Sequence, residues 1–370
     1  MHRNCEGTEQ LQYILEKGRI RIRMHKKTIA VLFGGNSSEY QVSLHSAGAV
    51  LENINLEKYH IIPIGITRKG EWYHYTGTID RIIEDTWSED VSQLIPIVIS
   101  PSPSLGGIIE LNPNQQRVIK LDLVFPVLHG RNGEDGTVQG LFELTCIPIV
   151  GCDALASALC MNKDIAHRLV AAAGIPVPKS LTITPSITAE WRKLISDFQY
   201  PLFVKPVRAG SSFGITKINH EEELEAAIRL ALEQDNQVII EENIEGFEVG
   251  CAILGNEELT VGRVDEIELS DGFFDYTEKY TLKTSKIHMP ARIDAACEKR
   301  IQETAVAIYR LLGCSGFARV DLFLQPTGRL VFNEVNTIPG FTAHSRYPHM
   351  MQGIGLSFTA LLDRLIGLYS

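Results

Sequence analysis

Between residues 319 and 346 the chain reads RVDLFLQPTGRLVFNEVNTIPGFTAHSR, two apolar runs interrupted by Arg319, Asp321, Glu334 and Asn336. Residues 319–324 and 330–336 are predicted strands, and Gln325-Pro326-Thr327-Gly328 supplies the turn chemistry of a hairpin. Successive strand side chains point to opposite faces, so Arg319 and Asp321 share one face, as do Phe332, Glu334 and Asn336. A four-residue turn pairs Leu324 with Arg329, sets Arg319 opposite Glu334, and puts both polar sets on the same side. Oxygen donors on rigid neighbouring strands suit a hard cation such as Mg2+, and Asn is a poor choice for a strand that is only solvated. In the following loop, Gly340 can bring a backbone N–H close to a ligand. A metal site beside a backbone donor points to phosphate chemistry; a solvated hairpin face is the alternative.

Other loops must meet this patch if it is a site. The apolar run 28–33 is a buried strand that enters Gly34-Gly35-Asn36-Ser37-Ser38-Glu39 and then a helix over about 40–51. A tight strand-to-helix turn explains the glycines and Ser37 equally well without a ligand, and the GxGxxG spacing of a dinucleotide fingerprint is absent. Residues 129–136, HGRNGEDG, pack three glycines and four ionisable groups into another such connection, which favours function over structure for His129. Strands over 59–67 and 121–127, a helix over 137–145 and a strand over 147–151 complete a doubly wound α/β layer, whose ligands sit at the carboxyl ends of its strands.

A helix over about 162–173 ends at Gly174 before Ile-Pro-Val-Pro, which marks a boundary. Beyond it, a strand over 202–204 leads into KPVRAGSSFG (205–214), where backbone N–H groups can cover phosphates and Lys205 adds a point charge. No GxxxxGK[ST] occurs, so this is not a P-loop. Residues 221–233 form an amphipathic helix that is core. The strand over 237–241 ends at Glu241-Glu242-Asn243-Ile244, which offers backbone groups and an apolar floor to a purine. Residues 270–289 lack periodicity, as a lid does. A long helix over 295–312 then delivers the chain to the hairpin.

The chain has 370 residues, 44% hydrophobic and 22% charged, which suggests two or three globular domains. A net charge of −10 without a basic stripe argues against a nucleic-acid partner. Seven scattered cysteines with no CxxC pair read as reduced core thiols, and no apolar run approaches the ~20 residues of a membrane span, so the expected compartment is the cytoplasm. Residues 1–23 have weak periodicity and run into Met24; they are expected to be a disordered leader or extension. The expected division is then an N-terminal α/β domain over 24–153, a small α+β domain over 154–246, and a larger C-terminal α+β domain over 247–370 containing the lid.

The motifs GGNSSE (34–39), HGRNGEDGTVQG (129–140), MNKDIAHRLVAAAGIPVP (161–178), KPVRAGSSFG (205–214), FFDYTEKY (273–280), RVD (319–321) and FNEVNTIPGFTAHS (332–345) resemble, in this order, the D-alanine:D-alanine ligase family of ATP-grasp enzymes. The resemblance covers nearly everything from Met24 on and implies an ATP-grasp fold. In that family ATP phosphorylates the carboxylate of one D-amino acid and the amine of a second attacks the acylphosphate. The resemblance makes Asp321, Glu334 and Asn336 ligands of two Mg2+ ions, for which Mn2+ can substitute. Lys163, Lys205, Ser212 and Lys279 become nucleotide-phosphate contacts, and Glu241, Ile244 and Glu248 contacts to adenine and ribose. Arg319 and the Gly340 N–H become the oxyanion donors. Glu39, linked through Ser211 to Tyr280, becomes the anchor of the first substrate's ammonium; His129 stands beside that substrate's carboxylate, and Ser345 holds the carboxylate of the second.

Two departures from the family pattern stand out: Ala209 where Glu is frequent, and Phe274 where the lid commonly has Tyr. Phe274, with Asp265 upstream, could seat a hydroxymethyl rather than a methyl group. The pattern is similar to that of the VanG-type D-alanine:D-serine ligases of glycopeptide resistance, and the retained Tyr280 favours an amine over a D-lactate nucleophile. An ordinary surface acid is the alternative for Asp265. The resemblance implies a cytoplasmic homodimer that acts on D-alanine and D-serine, with no membrane partner. A D-alanine:D-alanine ligase is the second expectation, and a non-catalytic nucleotide-binding regulator a third, disfavoured by the intact metal and lysine set. A Rossmann oxidoreductase would need the missing fingerprint.

Overall fold

In the computed structural model, which describes residues 12–16, 19–23, 26–112, 115–184, 194–210, 213–269 and 285–369, the first buried strand is β3 (Lys27–Gly34). Its alternation divides two cores. Ile29, Val31 and Phe33 pack with Leu44, Ala47 and Val50 of the helix Tyr40–Asn53; Ala30 and Leu32 pack on the other face with Val138 and Phe142 of the helix Thr137–Thr145. β3 runs parallel to β4 (Tyr59–Ile66) and β9 (Leu123–Pro126).

The segment between β4 and β9 is not the irregular excursion its Pro, Ser and Asn suggested. It forms β5 (Trp72–Tyr75), β6 (Leu94–Ile99), β7 (Gly107–Leu111) and β8 (Gln116–Lys120), an antiparallel extension that gives a seven-stranded sheet of order β8-β7-β6-β5-β4-β3-β9. These strands lie near the sheet margin with one side exposed, so no continuous apolar run announces them. The doubly wound layer is thus confined to β4, β3 and β9. The strand expected over 147–151 is reduced to a single bridge between Ile149 and Val124. In the leader, β1 (Gln12–Glu16) and β2 (Arg19–Arg23) pair antiparallel where disorder was expected; the alternating RIRIR of β2 has a strand's period.

A second sheet, of order β10-β13-β11-β12, contains β10 (Ser180–Ile183), β11 (Leu202–Pro206), β12 (Thr216–Ile218) and β13 (Val238–Glu242). The helix expected over 221–233 begins as a 3-10 turn, and only Leu224–Leu232 is α-helical, its Leu224, Ala227 and Ile228 buried on this sheet. The third sheet is antiparallel, of order β16-β15-β14-β17-β18: β14 (Phe247–Leu254), β15 (Thr260–Leu269), β16 (Ser285–His288), β17 (Phe317–Leu324) and β18 (Leu330–Asn336). The helix Ala295–Leu311 covers its apolar face through Ile301, Ala305 and Ile308, packed against Val320 and Leu322. Residues 285–288, expected within the lid, are β16; residues 270–284 join β15 to β16 and lie outside the described residues. Of the six cysteines among the described residues, none is in a disulfide, and Cys152, Cys160, Cys251 and Cys314 are buried.

Candidate active site

The β17–β18 hairpin differs from the expected register. Gln325 N donates to Arg329 O at 3.0 Å and Leu324 faces Leu330, so the turn is one residue longer than four. Left alone, that would send Glu334 into the core. A bulge corrects it: Leu322 faces Phe332 but Asp321 faces Glu334, leaving Asn333 as the extra residue. Glu334 and Asn336 therefore reach the polar face, opposite Asp321 and Arg319, whereas Phe332 turns into the core against the expectation.

On that face Arg319 grips Asp321 with Nε at 2.8 and 3.0 Å and Nη2 at 2.6 Å, and Asn336 Nδ2 donates to Asp321 Oδ2 at 2.9 Å. Burial opposes the Arg319 charge, but Asp321 more than compensates and its pKa is raised. Below them Arg346, unanticipated, donates to both Asp265 oxygens at 2.7 and 2.8 Å and to Glu248 Oε1 at 2.8 Å, and stands 3.4 Å from Asp321 Oδ1. Gly250 makes room: a Cβ there would stand 2.4 Å from Arg346 Nη2 and 2.9 Å from Asp321 Oδ1. Asp265 is fully buried with both oxygens accepting from Arg346, so it is not a surface acid. Glu248 both receives Arg346 and lines the adjoining cleft.

That cleft, of about 510 Å3, opens between the second and third sheets, with Lys163, Lys205, Glu241, Ile244, Phe323 and Glu334 among its walls. Lys205 Nζ donates to Glu241 Oε2 at 2.7 Å; Lys163 Nζ donates to Ala209 O at 2.8 Å and lies 3.3 Å from Glu334 Oε2. Burial pushes the Glu241 carboxyl up, but Lys205, then His167, outweigh it and hold it below the usual range. Two lysines, an apolar floor and acids at both ends suit a nucleoside triphosphate.

The N-terminal loops close the other side. Glu39 is buried, its carboxylate pressed against two backbone segments: a Cβ on Gly130 would meet Oε2 at 2.3 Å, and one on Gly210 at 2.5 Å. Glu134, not anticipated, accepts from Gly130 N at 2.7 Å and Ile338 N at 3.1 Å, tying this loop to the one after β18. Burial, then the nearby Glu39 charge, pushes its pKa up to about 8 against those hydrogen bonds. His129 is braced rather than free: Nδ1–H donates to Ile338 O at 2.8 Å, and Nε2 accepts from Ser46 Oγ at 3.1 Å, which itself accepts from Phe341 N. Ser345 Oγ accepts from Thr342 N at 3.0 Å and lies 3.2 Å from a Cβ position on Gly340, so Gly340 and Ser345 face one space.

Burial lowers the His129 pKa to about 4. Between that value and ~6.5 the unfolded chain binds the proton and the folded one does not, so stability is lost as pH falls through this window. Wild type is expected to lose about 3 kcal/mol from this group between pH 7 and 4. Urea titrations at both values should show a correspondingly smaller loss in His129→Gln.

Sequence reasoning missed Arg346, Glu134 and His167, although all three stand inside motifs it singled out. Ser211, Ser212, Phe274, Lys279 and Tyr280 lie outside the described residues.

Residues 28–152 match the family model described as D-ala D-ala ligase N-terminus, and residues 169–367 the model described as D-ala D-ala ligase C-terminus. Among solved structures the chain is similar to the VanG D-Ala:D-Ser ligase from Enterococcus faecalis, 66% identical with a TM-score of 0.87, covering 94% of this chain and 100% of that one. It is also similar to the D-alanine–D-alanine ligase from Bacillus anthracis complexed with ATP, 27% identical with a TM-score of 0.68, covering 93% and 97%. A curated relative, the vancomycin C-type resistance protein VanC1 of Enterococcus gallinarum, is 45% identical over 344 residues, 92% of this chain and 98% of that protein.

Proposed function

From the premise that the chain belongs to the D-alanine:D-alanine ligase family, and is an ATP-dependent ligase of the ATP-grasp fold, we propose that it joins D-alanine to D-serine through a D-alanyl phosphate. The dipeptide would enter peptidoglycan precursors and confer vancomycin resistance. The observation that carries the chemistry is the cross-strand pair Asp321 and Glu334, with Asn336, in which Glu334 reaches the cleft that also holds Lys163 and Lys205. The choice of D-serine is supported by the likeness to the VanG enzyme and by Phe274 in the sequence.

Two Mg2+ ions, or Mn2+, fit the donor set. Among the described residues no three His, Cys, Asp or Glu side chains form a closed cage. Glu334 and the Asn336 amide oxygen offer hard donors, and Asp321, whose oxygens accept from Arg319 and Asn336, would complete the set with the acceptor capacity a carboxylate retains, leaving positions for phosphate oxygens and water. When bound, such ions neutralise phosphate charge during phosphoryl transfer. The chain's own residues do the rest. Lys163 and Lys205 hold the nucleotide, with Ser212 and Lys279 completing its phosphate contacts, and Glu241, Ile244 and Glu248 take the adenine and ribose. Glu39, with Ser211 and Tyr280, anchors the first substrate's ammonium, and the His129 brace shapes the pocket of its carboxylate. Arg319 and Gly340 N–H face the carboxyl carbon under attack and stabilise the oxyanion. Ser345 holds the second substrate, and Asp265, through Arg346, shapes that subsite with Phe274.

The proposal places the enzyme in the cytoplasm as a homodimer, consistent with its free thiols. Among the described residues no helix is long and apolar enough to cross a membrane. Given ATP, Mg2+, D-alanine and D-serine together, the purified protein is expected to release phosphate and form mostly the mixed dipeptide. Exclusive formation of D-Ala-D-Ala would overturn the D-serine assignment and leave the alternative, a D-alanine:D-alanine ligase; absence of phosphate release would favour a non-catalytic nucleotide binder.

A further inference from the structure

We infer that His167 is a positioning residue that holds the β18 bulge in the conformation which aims Glu334 into the site, and that it couples this carboxylate to the nucleotide-facing Glu241. The inference rests on the proposal that Glu334 is a metal ligand.

The bulge is what turns Glu334 to the polar face, and it leaves Asn333 outside the regular register. The Asn333 carbonyl must find a donor elsewhere if the bulge is to persist. His167 Nε2 supplies it at 2.8 Å. A carbonyl only accepts, so Nε2 carries the hydrogen. The ring is 3% exposed and rests edge-on against Phe332, the residue preceding the bulge, with centroids 5.5 Å apart. One turn earlier on the same helix (Lys163–Ala172), Lys163 Nζ stands 3.3 Å from Glu334 Oε2. Positions i and i+4 share a helix face, so one face grips both the bulge and the side chain it directs.

The other ring nitrogen faces Glu241, which lines the nucleotide cleft. His167 Nδ1 lies 3.8 Å from Glu241 Oε1, too long for a direct hydrogen bond, and neither buried atom has a hydrogen-bond partner among the described residues. Glu241 Oε2 is taken by Lys205, and Oε1 is the oxygen turned toward the ring. A shift of Glu241 toward or away from Nδ1 is transmitted by a rigid ring to Asn333 and the carboxylate beside it. Supporting partners of this kind orient metal ligands, and their removal typically costs ~10- to 100-fold in metal affinity.

The test compares His167→Ala with His167→Gln in the full chain; Gln can present an Nε2–H to Asn333 O. Mn2+ binding is followed by electron paramagnetic resonance in the presence of a non-hydrolysable ATP analogue, alongside the Mg2+ dependence of phosphate release. His167→Ala is expected to weaken Mn2+ binding about tenfold and to raise the half-saturating Mg2+, with the KM for D-alanine little changed; His167→Gln should recover most of the loss. If His167→Ala does not fold, His167→Met fills the space without a donor and takes its place. Unchanged Mn2+ affinity without the donor, or no recovery by Gln, overturns the inference. Glu334→Gln run in parallel separates the two layers: wild-type Mn2+ binding there defeats the metal assignment itself, whereas loss there with none in the His167 variants defeats only the positioning role.

Discussion

Replacing Glu334 by alanine is expected to lower phosphate release by about 10³-fold or more while the fold persists. The carboxylate stands directly across from Asp321 on the neighbouring strand, so its loss removes one of the two proposed anionic donors, and the one of the pair that lines the nucleotide cleft. Metal-mediated neutralisation of transferring phosphate is worth several kcal/mol, and ~4 kcal/mol corresponds to roughly 10³ in rate. The structural cost is small. Glu334 lies on the edge strand β18, its side chain is 22% exposed, and Lys163 keeps its bond to the Ala209 carbonyl when the acid is gone. A partly exposed ion pair of this type contributes about 1 kcal/mol or less to stability. Thermal unfolding should therefore stay within a few degrees of wild type, while phosphate release with ATP, Mg2+, D-alanine and D-serine collapses. Turnover near the wild-type level would remove Glu334 from the metal site and, with it, the main support for phosphoryl chemistry at this hairpin.

That Glu334 could be singled out at all depended on strand parity, and the path to it was partly wrong. A four-residue turn predicts Arg319 opposite Glu334; the molecule instead uses a longer turn, which inverts the faces, and a bulge at Asn333, which inverts them back. Two shifts of one residue preserve parity, so Asp321, Glu334 and Asn336 emerge on one face while every cross-strand partner moves. Phe332, on the turn side of the bulge, shows the difference by pointing into the core. Sequence periodicity reports which side chains alternate, but neither a turn's length nor a bulge leaves a periodic trace. The buried strands β3, β4, β9, β11, β13 and β17 are rich in contiguous apolar residues and were legible; β14, though equally buried, was not read, nor were β5 to β8, half exposed and short. Arg346 and Glu134 were hidden for another reason. Each owes its role to partners far along the chain, Asp265 for one and Ile338 for the other, and no local pattern encodes a contact across 81 or 204 residues. His129 was found by its setting in a glycine-rich charged loop, yet its two ring nitrogens proved to be committed to Ile338 and Ser46.

Arg319 poses the sharper problem, because one side chain serves both stability and chemistry. Asp321 is 1% exposed, and Arg319 supplies three of its short contacts; Asn336 and the more distant Arg346 supply the others. Arg319→Ala leaves that carboxylate buried without its principal countercharge, a change that costs ~3–5 kcal/mol in comparable ion pairs. It also removes the proposed oxyanion donor, worth ~10²- to 10³-fold in rate. A single variant cannot separate these effects, since a destabilised protein also loses activity. The double variant Arg319→Met with Asp321→Leu separates stability from chemistry for the pair as a whole, because it restores the fold while removing both the proposed oxyanion donor and a proposed metal ligand. Removing both partners of a buried pair is often close to neutral for stability, and Arg346 remains neutralised by Asp265 and Glu248. Urea midpoints are therefore expected to fall for Arg319→Ala and to return most of the way in the double variant, while dipeptide formation stays absent in both. Lys cannot rescue the function, because the grip on Asp321 uses the planar Nε and Nη2 donors together and an ammonium presents only one point of charge. Activity within tenfold of wild type in a well-folded Arg319→Lys protein would mean that a cation at this position suffices and that neither the bidentate grip on Asp321 nor the planar guanidinium is required for the reaction.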